Sequence, residues 1–176
     1  ADCMSPELAL RAVEKSVQHC EFAKTLFFTD VDLGDLKTCE VVSIRKITSA
    51  ADYSAFILKE LASYIDTEFA LVIQWDGYVV DPLAWREEFF SFDYIGARWD
   101  WYSDGSTVGN GGFSLRSKKL LHATASSEFK FLATVPEDEQ IGRIYKDFLT
   151  QSCGVRLGTE SIADKFAYER ITPSHP

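Results

Sequence analysis

The sequence predicts an α/β fold, with helices packed around a mostly parallel central sheet, and three observations predict it. Apolar runs of strand length alternate with stretches of helical periodicity along the chain. One run, Phe69-Ala70-Leu71-Val72-Ile73, is apolar throughout, which suits a strand covered on both faces in the middle of a parallel sheet. That run stops at Gln74, and Asp76-Gly77 follow at once. Asp-Gly is turn chemistry, so Asp76 should stand at the carboxyl edge of a central strand, where ligands bind in open α/β sheets.

The remaining elements follow in order. Ser5-Pro6-Glu7 starts a helix, with an N-cap hydroxyl, a Pro in the first turn and an acid near the positive helix end. Leu10, Val13 and Val17 then share one face. Phe22 to Phe28 reads as a buried strand, and Val41 to Ile47 as a second. Thr48-Ser49 caps a helix that carries Tyr53, Phe56, Ile57, Leu61 and Tyr64. After the Asp76 turn come a short strand at Tyr78 to Val80 and a helix started by Asp81-Pro82 that carries Trp85 and Phe89. Tyr94 to Ala97 and Phe113 to Arg116 are short strands on either side of an irregular, aromatic segment. Ser117 begins a helix through His122, and Pro136-Glu137-Asp138 begins another with Ile141, Ile144, Tyr145 and Phe148 on one face. Val155 to Leu157 and Phe166 to Tyr168 are the last strand candidates.

With 176 residues, 46 % apolar and 26 % charged, the chain fits one domain with a full-sized core. The formal net charge of −9 argues against a broad electrostatic interface with nucleic acid, which needs a basic face. Cys3, Cys20, Cys39 and Cys153 show no C-x-x-C spacing, so they read as reduced thiols of a cytosolic protein rather than a zinc site. No apolar run reaches membrane-spanning length and no signal peptide is visible. The histidines His19, His122 and His175 are far apart, and His19 reads as a residue of a helix end.

Three further segments could carry chemistry. Gly109-Asn110-Gly111-Gly112 places three glycines in four positions, which lets a backbone approach a ligand closely or simply makes a tight turn before a strand. Glu137-Asp138-Glu139 is either an acidic helix start favoured by the helix dipole or the home of a general base. Arg98-Trp99-Asp100-Trp101-Tyr102 could stack aromatic rings on a sugar or base, with Arg98 or Arg116 meeting phosphate, or could cover the core.

The order of Gln74-x-Asp76-Gly77, Asp93-Tyr94-Ile95-Gly96-Ala97-x-Trp99, Gly109-Asn110-Gly111-Gly112-Phe113-Ser114-Leu115-Arg116-Ser117 and Pro136-Glu137-Asp138 resembles one family over nearly the whole chain. That family is the bacterial glycosyltransferases of GT-A-like fold. The resemblance implies a Rossmann-like α/β/α sandwich. It also implies transfer of a sugar from a nucleotide-sugar donor to a glycan acceptor, in bacterial surface polysaccharide synthesis at the cytoplasmic side of the membrane. Gln74 and Asp76 match the D-x-D positions that bind a divalent cation, Mn²⁺ or Mg²⁺, and only the second Asp is present. The metal ligand would then be Asp76. Gln74, Gly109, Asn110, Gly111, Gly112, Arg98, Trp99 and Trp101 would contact donor or acceptor. Glu137 and Asp138 match the acidic motif of the inverting enzymes, with Asp138 as base. By the same resemblance the segment 1–176 is expected to lack the family's first strand and its C-terminal end, where a late His often binds metal. His175 is the one candidate for that role. Two other readings compete. One is a non-catalytic nucleotide- or sugar-binding domain with a degenerate site, and the other is a nucleotidyltransferase.

Overall fold

A computed structural model describes residues 1–18 and 20–169. His19 and His175 lie outside the described residues. The fold is a mixed α/β arrangement with two separate sheets. β1 (Leu26–Thr29) and β2 (Glu40–Ser43) form a parallel pair, with Phe27 opposite Val41. β3 (Phe69–Ile73), β4 (Tyr94–Gly96) and β5 (Phe113–Ser117) form an antiparallel sheet in the order β3-β5-β4.

This corrects the expected architecture. Among the described residues there is no large, mostly parallel sheet and no Rossmann-like sandwich, because β5 runs antiparallel to both of its neighbours. β3 is an edge strand, not a central one, and of its five residues only Val72 is fully buried. The apolar run has a different cause from the one expected. Its side chains line an apolar cavity of about 550 Å³ shared with β1.

The helices start where local chemistry says they should. α1 (Pro6–Val17) has Pro at its first turn and buries Ala9, Ala12 and Val13. α2 (Ala50–Ala55) is capped by the Ser49 hydroxyl, which accepts from the Asp52 N–H. It runs on through a π-helical turn (Phe56–Glu60) and a 3₁₀ turn (Leu61–Tyr64). α3 (Lys118–Ala125) is capped by Ser117, and α4 (Glu137–Glu139) continues into π-helical turns. α5 (Glu160–Phe166) occupies part of the stretch expected as the last strand. Tyr78 to Val80 is loop, and the expected helix with Trp85 and Phe89 is two short 3₁₀ turns (Pro82–Ala84 and Glu87–Ser91).

Of the four apolar clusters among the described residues, one gathers Phe28, Ile47, Phe56, Ile57, Leu61 and Val72, and a second Leu58, Tyr94, Leu120, Phe129, Ile141 and Leu149. A third, with Phe89, Ile95, Leu115 and Ile162, covers the opposite face of the antiparallel sheet. Among the described residues no helix is long and apolar enough to cross a membrane.

Candidate functional site: a glycine loop packed against the end of β3

The end of β3 is tied to the glycine loop by its backbone. The Gln74 N–H donates to the Gly112 carbonyl at 2.9 Å, and the Gly77 N–H donates to the Gln74 carbonyl at 3.2 Å, closing the Trp75-Asp76 turn. A Cβ on Gly77 would stand 3.0 Å from the Phe113 Cβ, so the turn lies tight against the start of β5. The Q-x-D-G turn and the glycine loop therefore share one rim of the sheet.

The loop needs its glycines for space. Gly109 has φ +143°, and a Cβ there would stand 2.5 Å from the Tyr94 ring; the Tyr94 hydroxyl donates to the Gly109 carbonyl. At Gly111 a Cβ would lie 2.2 Å from Glu137 Oε1 and 3.1 Å from the Asp138 Cβ. At Gly112 it would lie 2.8 Å from Gln74 Oε1 and 3.4 Å from Asn110 Oδ1. Two side-chain amides and two carboxylates thus converge on two consecutive backbone units that carry no side chains.

The acidic start of α4 is held to this loop from both sides. Asp138 Oδ2 accepts the Gly111 N–H at 3.1 Å, and Oδ1 accepts the Glu139 N–H at 2.8 Å. Glu137 turns inward to Arg116, whose Nη2 donates to Glu137 Oε1 at 3.0 Å and to the Gly111 carbonyl at 3.3 Å. Ser114 Oγ accepts from Arg116 Nε at 2.9 Å and itself donates to the Gly111 carbonyl at 2.9 Å. Burial pushes the Glu137 carboxyl above the usual carboxylate range, while the Arg116 guanidinium pulls it back. Burial also pushes the phenols of Tyr94 and Tyr53 up. Tyr53 Oη is buried beside this cluster and finds no hydrogen-bond partner among the described residues.

The other residues singled out from the sequence go elsewhere. Asp76 is exposed on its turn. Arg98 pairs with Asp164 at 3.0 Å and Glu160 at 3.9 Å. Trp99 is 3 % exposed and its ring packs over Gly142, so it belongs to the core rather than to a stacking platform. Trp101 is 48 % exposed and its ring lies tilted against Tyr102. Arg116 is 1 % exposed and committed to Glu137, which takes it away from any phosphate.

Among the described residues, no three His, Cys, Asp or Glu side chains are grouped to hold a metal ion. The carboxylates nearest the loop are spent on Arg116 and on backbone N–H groups. This donor set does not fit a chelated divalent cation.

Sequence reasoning missed the scaffold behind the glycine loop. Tyr53 and Tyr94 read as core, and Arg116 read as a phosphate contact, yet all three sit behind the acidic motif. The available signal was a lone Arg in an otherwise uncharged strand, Phe113-Ser114-Leu115-Arg116-Ser117, since a buried Arg calls for a buried acid.

No curated protein and no solved structure matches the chain. A family model described as a protein of unknown function (DUF5672) matches residues 37–175. The match spans the β3 turn, the glycine loop and the acidic start of α4, and the chain belongs to the DUF5672 family.

Proposed function

We propose that this chain is a glycosyltransferase that moves a sugar from a nucleotide-sugar donor to a hydroxyl of a glycan acceptor, with Asp138 as the base. One observation carries the proposal. Gln74, Asn110 and Asp138 pack directly against the backbone of Gly111 and Gly112, so their polar groups are gathered at one end of the sheet. Side-chain amides offer both donors and acceptors, and a carboxylate offers acceptors only; together they suit a ligand rich in hydroxyl groups. The order of the motifs along the sequence supports the same reading.

In this account the acceptor oxygen attacks the anomeric carbon while Asp138 takes its proton. The bond from that carbon to the diphosphate breaks, and the diphosphate leaves with the electron pair. Asp138 is placed for this role by the Gly111 and Glu139 N–H groups, which fix its orientation. Glu137 is a positioning residue, because its carboxylate is spent on Arg116 behind the loop.

A second reading has an observation of its own. Both Asp138 oxygens already accept backbone N–H groups, so the carboxylate also serves as a clamp between loop and helix. A sugar- or nucleotide-binding domain without turnover would need nothing more. Thermal unfolding against a panel of nucleotide sugars, nucleotides and free sugars tests the proposal, since a ligand that binds only the folded state raises the transition. The expected result is stabilisation by one or more nucleotide sugars. No shift with any member of the panel overturns both readings. A shift without release of nucleoside diphosphate overturns the transferase alone.

A further inference from the structure

The cavity of about 550 Å³ lies away from the glycine loop, between the two sheets. Its walls include the whole of β3 and most of β1, with α1 and the Phe56 turn behind them. The sidedness of the two strands follows from their ladders. On β1, the carbonyls of Thr25 and Thr29 accept from Glu40 and Ile44 on the β2 side, whereas the Phe28 carbonyl accepts from the Asp2 N–H. Backbone groups alternate along a strand, so Leu26 and Phe28 point theirs away from β2. On β3, Gln74 bonds Gly112 and Glu68 bonds Lys118 across the β5 side. With Leu71 opposite Leu115 in this register, Phe69, Leu71 and Ile73 point their backbone groups away from β5.

Among the described residues these edges are only partly paired, the Phe28 carbonyl accepting from the Asp2 N–H and the Phe69 carbonyl from the Thr67 hydroxyl, and both strands line the same apolar space. We propose that this space is a strand-binding slot, filled by an extended apolar segment of polypeptide that pairs with β1 on one side and β3 on the other. A lipid or other apolar ligand could fill the volume but would leave the remaining N–H and C=O groups of both edges without partners. A buried polar group left in that state costs about 1–3 kcal/mol. Only a strand supplies apolar side chains and a hydrogen-bonding backbone together. One rung already exists, because the Asp2 N–H donates to the Phe28 carbonyl at 2.9 Å and Ala1 lines the slot. The inference does not depend on the function proposed for the glycine loop.

The test is a strand joined ahead of Ala1, with the probe segment Lys-Val-Ile-Val-Val-Val running directly into it. The control replaces alternate residues of the probe by Pro, which keeps the segment apolar but removes ladder donors. The expected result is a rise in Tm of more than roughly 5 °C for the probe over the unextended chain, with amide hydrogen exchange slowed at Leu26, Phe28, Phe69, Leu71 and Ile73. The Pro control should show neither effect. Equal stabilisation by probe and control would mean that the slot takes apolar bulk rather than a strand and would overturn the proposal. So would unchanged exchange at those amides. Protection of the same amides in the unextended chain, rising with protein concentration alongside a dimer mass, would assign the slot to a second copy and also overturn it.

Discussion

Arg116 and Glu137 meet at 3.0 Å beneath the glycine loop, with side chains 1 % and 7 % exposed. The pair joins β5 to α4, and the Gly111 carbonyl receives the same guanidinium at 3.3 Å. It therefore sets the distance between the loop that would floor a bound sugar and the helix start that carries Asp138. A charge buried this deeply is tolerable only with its partner present.

Removing one member of that pair should be costly. Glu137→Leu or Arg116→Met alone should lose about 3–5 kcal/mol of stability, read as the urea unfolding free energy. The double variant should lose clearly less than the sum of the two, because no unpaired charge remains. Additive losses would mean that the two side chains do not act as a pair.

Gly96 tests the packing between β4 and the loop. A Cβ at this position would stand 1.9 Å from the Asn110 carbonyl oxygen, and the atom in the way is backbone. Gly96→Ala should therefore cost at or beyond the upper end of the usual overpacking range of about 1–3 kcal/mol. A Tm within a degree or two of the parent would contradict this approach of β4 to the loop.

Asp52 gives the fold a dependence on acid. Its carboxyl is held down to about 2, first by the Thr48 hydroxyl, then by the Thr48 N–H and Ser49. The folded value lies below the ordinary 3.8, so the unfolded chain takes up this proton first as the pH falls. The contribution is therefore complete above about pH 4 and is lost as the pH falls toward 2. The carboxylate is on the surface, so the effect should be modest. Asp52→Asn should lower the urea midpoint at neutral pH, and the gap to the parent should close between pH 4 and pH 2. A gap that stays constant across that range would remove Asp52 from the acid response.

The local features of the fold were legible and the pairings were not. Helix starts at Pro6, Ser49 and Ser117 could be read because capping and proline effects involve residues within one turn. The acidic start at Glu137 could be read for the same reason. Nothing local specifies that β5 pairs antiparallel with β3, since their ladder joins segments separated by the whole β4 region. The apolar run of β3 was misread as double coverage when it lines a cavity at a sheet edge. Trp99, set among polar residues, gave no sign that Gly142 makes room for its ring. The candidate site was legible in part. The Gln74 turn, the glycine loop and Asp138 are there, but the ion pair beneath them depends on a contact between residues 21 positions apart.

The most direct test of the proposed chemistry is the release of nucleoside diphosphate from whichever nucleotide sugar stabilises the chain, measured with a hydroxyl-bearing acceptor. The parent, Asp138→Asn and Glu139→Gln are compared. General-base help is worth about 10²–10⁴-fold in rate, so Asp138→Asn should lose turnover in that range while keeping donor affinity within a few-fold. Glu139→Gln should stay close to the parent, because no hydrogen bond at the glycine loop uses its carboxylate. Equal, small losses in both variants would contradict Asp138 as the base. Donor binding with no diphosphate release by the parent itself would contradict glycosyl transfer.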